Sequence, residues 1–243
     1  MAQARRWTQS DVRSGRDAAH AGRWVDQLTP PRGQRPDPTI HLSARTNPGA
    51  PINQPAGTLM PLTLHRIQHK AESSLWNEYI ERYHYLGHKP LPGAQLRYWI
   101  HHRNRPIALL GFGAAAWQTA PRDRFIGWSH AERQKNLHLI VNNARFLILP
   151  WVQSKNLASM ILAKAARQLP DDWEAQYGYR PVLLETFVEK NRFKGTCYKA
   201  ANWIRTGQTK GTAKKGHDHL FHGNIKDVYL YPLKKDFRKK LTG

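Results

Sequence analysis

The residues best suited to acid–base chemistry lie in the second half of the chain. Glu185 stands in the middle of an apolar stretch, Arg180–Val188, that has the composition of a buried strand. A carboxylate there must be paired, protonated or placed at a cleft, because burying its charge alone is costly. Glu185 is therefore a candidate general base. The alternative is a buried glutamate neutralised by one of the many arginines.

A cysteine and a tyrosine follow shortly after this stretch. Cys197 and Tyr198 open a short predicted helix, Cys197–Trp203. The start of a helix can lower the pKa of a thiol, and a tyrosine hydroxyl can protonate a leaving group. Both residues are candidate catalytic groups. The alternative for Cys197, the only cysteine in the sequence, is a small residue of the core.

A strand-to-helix junction offers a site for an anion. The apolar stretch Ala144–Trp151 predicts a buried strand, and Leu157–Leu169 predicts an amphipathic helix directly after it. The first turn of a helix presents free backbone N–H groups that bind phosphate or carboxylate. The candidate contacts are Gln153, Lys155, Asn156 and Ala158. The alternative is an ordinary connection that binds no ligand.

The charge of the chain favours a polyanionic partner, DNA first. The sequence has 38 Lys and Arg against 17 Asp and Glu, a net charge of +21. The candidate contacts are arginines beside aromatic residues, polar residues before the buried strand and lysines near the C-terminus: Arg122, Arg124, Asn143, Arg145, Lys210, Lys214, Lys215, Lys234 and Lys235. The alternatives are a solvated surface, an ion-pair cluster or the end of a loop.

Several classes of protein are excluded by what the sequence lacks. It has no run of about 18 apolar residues and no apolar signal-peptide region, so we expect a cytoplasmic protein without a membrane partner. A single cysteine excludes an intrachain disulfide and a cysteine-based zinc cluster. His217, His219 and His222 match no metal-site template, and no metal site is predicted. The phosphate-binding loop of ATPases is also missing.

The elements that must position these residues are spread over residues 58–243. Apolar spacing predicts helices at 72–85, 157–169 and 197–203, and strands at 95–101, 107–117, 144–151, 180–188, 204–209 and 227–233. This order predicts a mixed α/β domain with flanking helices around one central sheet. Residues 1–57 are rich in Arg and Pro, and we expect them to form an irregular basic arm.

The order of elements resembles the GNAT acyltransferase fold. In that fold a Q/R-x-x-G-x-G/A loop after the central strand cradles the pyrophosphate of acetyl-CoA, and Gln153, Asn156 and Ala158 match it, with Asn156 at the middle glycine. Residues 180–191 and 198–203 resemble the fold's V-x-x-x-N and Y-x-x-x-G-F segments. The resemblance implies acetyl-CoA or another phosphate-bearing donor as the cofactor. It favours Tyr198 over Cys197 as a general acid.

Five longer segments resemble a narrower family, DruA, named for the Druantia anti-phage defence system. They are, in order, RYHYLGHKPLPGAQLRYWI, LLGFGAAAWQTAPRDRFIGW, NNARFLILPWV, RPVLLETFVEK and GTCYKAANWIRTGQTKG. The resemblance covers about residues 65–240. It implies a role in phage defence or in mobile elements, where relatives occur beside transposases.

Three functions follow as expectations. The first is a DNA-binding component of a defence system or mobile element, built on a GNAT-like domain. The second is a group-transfer enzyme that modifies a nucleobase or a protein amine. The third is a non-catalytic adaptor for a helicase or transposase. The sequence predicts no oligomeric state.

Overall fold

The computed structural model describes residues 39–215, 218–221 and 223–243. Residues Ile40–Gly243 form one compact unit. Residues 1–38 of the predicted basic arm lie outside the described residues, as do the side chains of residues 212–222. None of the described helices is both long and apolar enough to cross a membrane.

A seven-stranded mixed sheet forms the centre of the unit, in the order β1-β2-β3-β4-β5-β9-β6. Its strands are β1 (Leu62–Arg66), β2 (Gln95–His102), β3 (Arg105–Ala114), β4 (Ile140–Ile148), β5 (Leu183–Glu189), β6 (Ile204–Gln208) and β9 (Lys226–Pro232). Neighbouring strands are antiparallel except β4 and β5, which are parallel. A separate hairpin consists of β7 (Thr212–Lys215) and β8 (Asp218–Phe221).

Helices cover both faces of the sheet. They are α1 (Lys70–Tyr83), α2 (Ala120–Ile126), α3 (His130–Asn136), α4 (Leu157–Tyr177), α5 (Thr196–Ala200) and α6 (Phe237–Leu241). The larger core holds side chains of α1, α4 and α5, and the smaller one holds side chains of α2 and α6. Successive residues of β5 alternate between these cores, as a strand buried on both faces requires. The predicted mixed α/β fold is confirmed.

The parallel pairing of β4 and β5 is short, and this creates the main cleft. Only Ile140–Asn142 pairs with Leu183–Glu185. Both strands continue beyond these residues without pairing to each other. Each strand of a sheet has two edges, and β3 occupies only one edge of β4. The other edge of β4 therefore faces an opening between the diverging strands.

The folded unit begins earlier than the sequence predicts. Its first residue is Ile40, whereas the apolar pattern places the start near residue 58. Ile52 is buried in the larger core, and the Thr46 hydroxyl donates a 2.9 Å hydrogen bond to Glu78 on α1. Polar anchoring of this kind leaves no helical or strand period, so periodicity cannot detect it.

The longer elements agree with the predicted ones, as do the short elements β6 and α5, whereas the other short ones differ. Strands β1, β7 and β8 and helices α2, α3 and α6 contain seven residues or fewer and were not predicted. Helix α4 continues through Pro170 to Tyr177, eight residues beyond the predicted end at Leu169. Packing of Trp173 in the core accounts for the extension, because buried apolar contacts outweigh one missing backbone hydrogen bond.

Candidate active site

The opening between β4 and β5 is a cleft of about 400 Å³. One wall is β4 (Asn142–Phe146), and the other is β5 (Thr186–Val188). The loop from Phe193 to Tyr198 and the segment His84–Leu86 after α1 complete it, together with Leu91 and Lys226. None of these lining residues is an Asp or Glu, whereas Arg145, Lys194 and Lys226 are cations, so the ionised side chains that line the cleft are all positive.

Arg145 supplies the buried part of this charge. Its side chain is only 8% exposed, and its guanidinium donates a 2.8 Å hydrogen bond to the carbonyl of Ala144. It forms no ion pair within the described part of the chain. Burial lowers the pKa of Arg145, but a guanidinium stays charged at neutral pH. Lys194 and Lys226 add two cations nearer to solvent.

His84 responds to this charge. Burial, and after it the charge of Arg145, lowers the pKa of His84 to about 4. The imidazole is therefore neutral at pH 7, and its Nδ1 accepts a hydrogen bond from the backbone N–H of Leu86 at 3.3 Å. His84 shapes the end of the cleft without adding a further cation.

Tyr198 lies at the floor of the cleft with its hydroxyl held in place. Its Oη donates a 2.8 Å hydrogen bond to Oδ1 of Asn143. The Asn143 amide nitrogen donates to the carbonyls of Gly111 (3.3 Å) and Arg145 (3.1 Å), which fixes the orientation of the amide. Burial raises the pKa of Tyr198, so its hydroxyl stays protonated at neutral pH. The hydroxyl proton is therefore held by Asn143 in this structure, and the catalytic role of Tyr198 stays a prediction.

Cys197 also lines the cleft, but it is not an activated thiol. Burial raises its pKa, and the hydrogen bonds of the short helix α5 oppose burial only in part. The expectation of a lowered thiol pKa is wrong, because desolvation outweighs the effect of one helical turn.

Gly195 allows the loop to reach α5. Its φ is +65°, a conformation that glycine adopts without the strain of a side chain. A Cβ atom at this position would overlap the hydroxyl of Tyr229, which is buried without a hydrogen-bond partner among the described residues. Glycine is therefore required here by conformation and by space.

Glu185 does not reach the cleft, and the structure does not support it as a general base. One carboxylate oxygen accepts a 2.8 Å hydrogen bond from the backbone N–H of Ala116, and the other pairs with Arg122 at 2.9 Å. Burial raises the pKa of the Glu185 carboxyl, whereas the charge of Arg122 acts in the opposite direction. Both side chains are completely buried, so the pair is a structural ion pair. The alternative interpretation from sequence is the correct one.

The predicted anion loop also lies outside the cleft. Gln153, Lys155 and Asn156 line a separate groove together with residues 53–57. The backbone N–H of Gln153 is already used, because it donates to the carbonyl of Ile52 at 2.8 Å. Asn156 has a φ of +66°, so it takes the backbone conformation that a glycine would favour there. Ala158 follows in the first turn of α4. Anion binding by this loop stays a prediction.

The predicted nucleic-acid contacts fall into three groups. Arg122, Asn143 and Arg145 are buried. Arg122 and Asn143 are hydrogen-bonded inside the domain, so they cannot contact DNA, and Arg145 lines the cleft. The exposed candidates are Arg124, Lys210, Lys234 and Lys235. Lys214 and Lys215 belong to β7, and their side chains lie outside the description.

Metal ligands do not converge anywhere in the described residues. Of the three C-terminal histidines noted in the sequence, His217 and His222 lie outside the described residues.

Sequence reasoning missed several residues of the cleft. His84, Lys194 and Lys226 come from three distant segments and become neighbours only through the sheet order. The local signal for one of them was the Lys-Gly-Thr sequence ahead of α5, where a glycine marks a special backbone position.

A family comparison identifies the evolutionary group of this chain. The model for Druantia protein DruA matches residues 37–217, about three quarters of the sequence. The chain belongs to the DruA family. The match contains the diverging strands β4 and β5, Arg145 and Tyr198, and it ends before β9 and α6. No curated protein matches this DruA-family sequence significantly.

Solved structures similar to this DruA-family domain include acetyltransferases. The aminoglycoside acetyltransferase AAC(6')-Ib in complex with coenzyme A is 13% identical, covering 70% of this chain and 94% of that one at a TM-score of 0.47. A spermidine N-acetyltransferase SpeG chimera that includes the Vibrio cholerae protein is 12% identical, covering 71% and 95% at 0.43. An acetyltransferase from Sphaerobacter thermophilus is 11% identical, covering 70% and 93% at 0.38.

Proposed function

We propose that this DruA-family domain is a group-transfer enzyme that binds a phosphate-bearing donor, such as an acyl-CoA, in the β4–β5 cleft. The observation that carries the proposal is the buried guanidinium of Arg145, which has no carboxylate partner in the described residues. An uncompensated buried charge is costly. An anionic ligand in the cleft would compensate it.

The dimensions and polarity of the cleft fit such a donor. Its volume of about 400 Å³ is within the range of small-molecule sites, about 300–1,000 Å³. The open edge of β4 offers backbone groups to an extended amide chain, as a sheet edge does to an added strand. Lys194 and Lys226 are available for phosphate oxygens.

The residues of the cleft have distinct proposed roles. An acyl thioester supplies an acyl group that is already activated for transfer to an amine. Arg145 would hold the negative charge of the donor. The hydroxyl of Tyr198 would turn its proton from Oδ1 of Asn143 to the leaving sulfur and transfer it there, so that the thiol leaves in neutral form. We assign no general base, because none of the cleft residues is an Asp or Glu and Nδ1 of His84 already accepts a hydrogen bond from Leu86. The acceptor amine would attack the thioester carbonyl in its neutral form and release its proton to solvent as the C–S bond breaks.

Calorimetric titration with acetyl-CoA and with CoA tests the binding part of this proposal. We expect Arg145→Met to weaken binding at least tenfold, because it removes charge-assisted hydrogen bonds. Arg124→Met is the matched control, since Arg124 is an exposed arginine on α2. Absence of binding by the wild-type protein, or equal binding by both variants, would contradict the proposal.

Tyr198→Phe tests the catalytic part. Transfer of a labelled acetyl group to DNA, RNA or protein amines should fall by about 10²–10⁴-fold, the usual contribution of a general acid. Donor affinity should stay near the wild-type value, because the ring and its packing against Tyr229 are retained. Equal transfer rates would remove Tyr198 from the mechanism.

Nucleic-acid binding is the second candidate function. It is favoured by a basic surface, which we define as Arg124, Lys234, Lys235, Arg238, Lys239 and Lys240, all exposed. Arg238 on α6 connects the C-terminal part of this surface to α2, which carries Arg124. Its guanidinium lies 4.5 Å from the ring centre of Phe125, and its Nε donates to the Phe125 carbonyl at 3.1 Å. Clustered cations beside aromatic rings suit phosphate contacts.

Charge reversal tests this surface. Lys234→Glu with Lys235→Glu should weaken DNA binding and make it less dependent on salt, because fewer counterions are released. Lys70→Glu with Lys89→Glu, two exposed lysines outside the basic surface, is the control. Equal losses in both double variants would indicate a general charge effect and no defined surface.

Family membership supports a role of the domain in anti-phage defence. Association with a helicase or transposase, and the cytoplasmic location, stay predictions from the sequence. Co-purification with the neighbouring gene products, with and without residues 1–38, tests the adaptor role.

A further inference from the structure

A second concave site lies beyond the other end of β4. It is a pocket of about 250 Å³ between the end of β3, helix α3 and the C-terminal part of α4. We name it the aromatic pocket and define it by Trp117, His138, Trp173 and Tyr179, with Gln134 among the further lining residues. All of these residues lie within the part of the chain that matches the DruA family.

The walls of the aromatic pocket present ring faces and edges. Trp117 is 55% exposed, although tryptophan is usually buried. The guanidinium of Arg133 lies 5.7 Å from the centre of its ring. The Tyr179 ring meets His138 edge-on at 5.1 Å and Trp173 at 6.4 Å. An exposed indole backed by a cation is a surface on which a planar ring can stack.

Two buried hydrogen-bond donors at this place have no acceptor in the described residues. One is Nε1 of Trp173, a residue that lines the pocket and is 1% exposed. The other is Nε of Arg133, the arginine beside Trp117, although Arg133 does not itself line the pocket. Buried donors are nearly always satisfied, because an unmade hydrogen bond costs the full desolvation of the group. Nε1 of Trp173 is covered by neighbouring side chains in this structure, so a ligand in the pocket would supply its acceptor once those side chains shift.

The backbone that carries Trp117 is rigidly held. Arg122 donates to the carbonyls of Ala116 (2.7 Å) and Trp117 (3.5 Å), and Glu185 accepts from the N–H of Ala116. The buried ion pair thus holds the peptide groups on both sides of Trp117. Arg122 and Glu185 are positioning residues for Trp117, which explains why a charged pair is placed under an exposed loop.

We propose that the aromatic pocket binds a single purine or pyrimidine base. The base stacks on Trp117, and its ring nitrogen or carbonyl acceptors receive the N–H of Trp173. A volume of about 250 Å³ accommodates one ring system and lies below the range of about 300–1,000 Å³ that is typical of drug-sized ligands. The base belongs either to a free nucleotide or to a single strand. This inference is independent of the donor cleft.

Two titrations test the proposal and separate the two sources. In the first, AMP, GMP, CMP and UMP are titrated by calorimetry. In the second, a short single-stranded DNA with one 2-aminopurine is titrated, and quenching of its fluorescence reports stacking on an indole. Saturable binding of a monophosphate identifies a nucleotide pocket, and binding of the strand alone identifies a base within a strand.

Variants locate the binding. Trp117→Ala should weaken it about tenfold or more, because stacking on an aromatic side chain is lost. Trp173→Phe should weaken it several-fold, because the ring remains and only the donor is removed. Trp203→Phe is the matched control: Trp203 is also buried with an unpartnered Nε1, but it does not line the pocket. The affinity of the Trp203→Phe variant for the nucleotide or strand should equal that of the wild type.

The proposal fails if the wild-type protein binds neither the monophosphates nor the strand. It also fails if Trp117→Ala and Trp173→Phe bind as tightly as Trp203→Phe. Thermal unfolding of all three variants accompanies the titrations. Trp117→Ala is expected to melt near the wild-type temperature because Trp117 is largely exposed, so a loss of binding there is not a loss of fold.

Discussion

Two buried arginines of this domain have opposite environments. Arg122 is fully buried and is neutralised by Glu185 and Asp123, at 2.9 Å each. Arg145 is almost as deeply buried, but among the described residues it has one backbone carbonyl as its hydrogen-bond acceptor and no carboxylate. The first belongs to a closed network that holds a loop. The second leaves a charge unbalanced in a cleft, so the comparison separates a structural charge from one available to a ligand.

The largest expected effect comes from breaking the closed network. Glu185→Ala leaves Arg122 without its main counter-charge, and we expect a loss of about 3–5 kcal/mol in the free energy of unfolding. Urea denaturation measures it. Glu185→Gln keeps hydrogen-bonding capacity and should cost less. A loss below about 1 kcal/mol for Glu185→Ala would show that Arg122 is not held by this pair.

The next effect concerns His84, which lies near the unpaired charge of Arg145, and it depends on pH. The pKa of His84 is about 4 when folded and near 6.5 when unfolded. Below pH 6.5 the unfolded state therefore binds a proton that the folded state does not, and stability falls as the pH drops toward 4. The loss amounts to about 3 kcal/mol. His84→Gln should flatten this part of the pH–stability curve, and an unchanged curve would contradict the assignment.

A smaller loss is expected from the backbone of the cleft. Gly195→Ala combines a positive φ with overlap on Tyr229, and we expect a cost of at least about 2 kcal/mol. Gly178→Ala has a similar φ of +76° but open space, so it should cost only about 1 kcal/mol. Equal costs, measured by urea denaturation, would mean that the loop moves away from Tyr229.

The smallest effect on stability is expected for Arg145, the arginine without a carboxylate partner among the described residues. Arg145→Met removes a buried charge without breaking an ion pair, so the free energy of unfolding should change by less than about 1 kcal/mol or rise. Donor binding should be lost at the same time. A loss of several kcal/mol would place Arg145 in the same structural class as Arg122, and the comparison would then fail.

Much of the fold was predictable because periodicity records burial. The apolar runs of β4 and β5 and the stripe of α4 are long enough to read, whereas α2 and α3 have seven residues each and no clear period. Periodicity also could not place Ile52 in the core, since its segment is held by isolated contacts.

The site was less predictable because pairing is a property of three-dimensional neighbours. The sequence raised a paired glutamate as an alternative for Glu185, but it could not choose Arg122 among 38 cations, 63 positions away. Arg122 belonged to a cluster beside Phe125 and Trp128, Arg145 stood at the start of the buried strand, and both were interpreted as nucleic-acid contacts. Only their counter-charges distinguish them, and these come from the sheet order.

The position of β9 has a consequence for the timing of assembly. Strand β9 lies between β5 and β6, although it is synthesised after both. During translation β6 therefore has no neighbour to pair with until residues 226–232 have left the ribosome. The same strand brings Lys226 to the cleft. The cleft thus acquires its last cation only when the sheet closes, so a partly synthesised domain has an incomplete site.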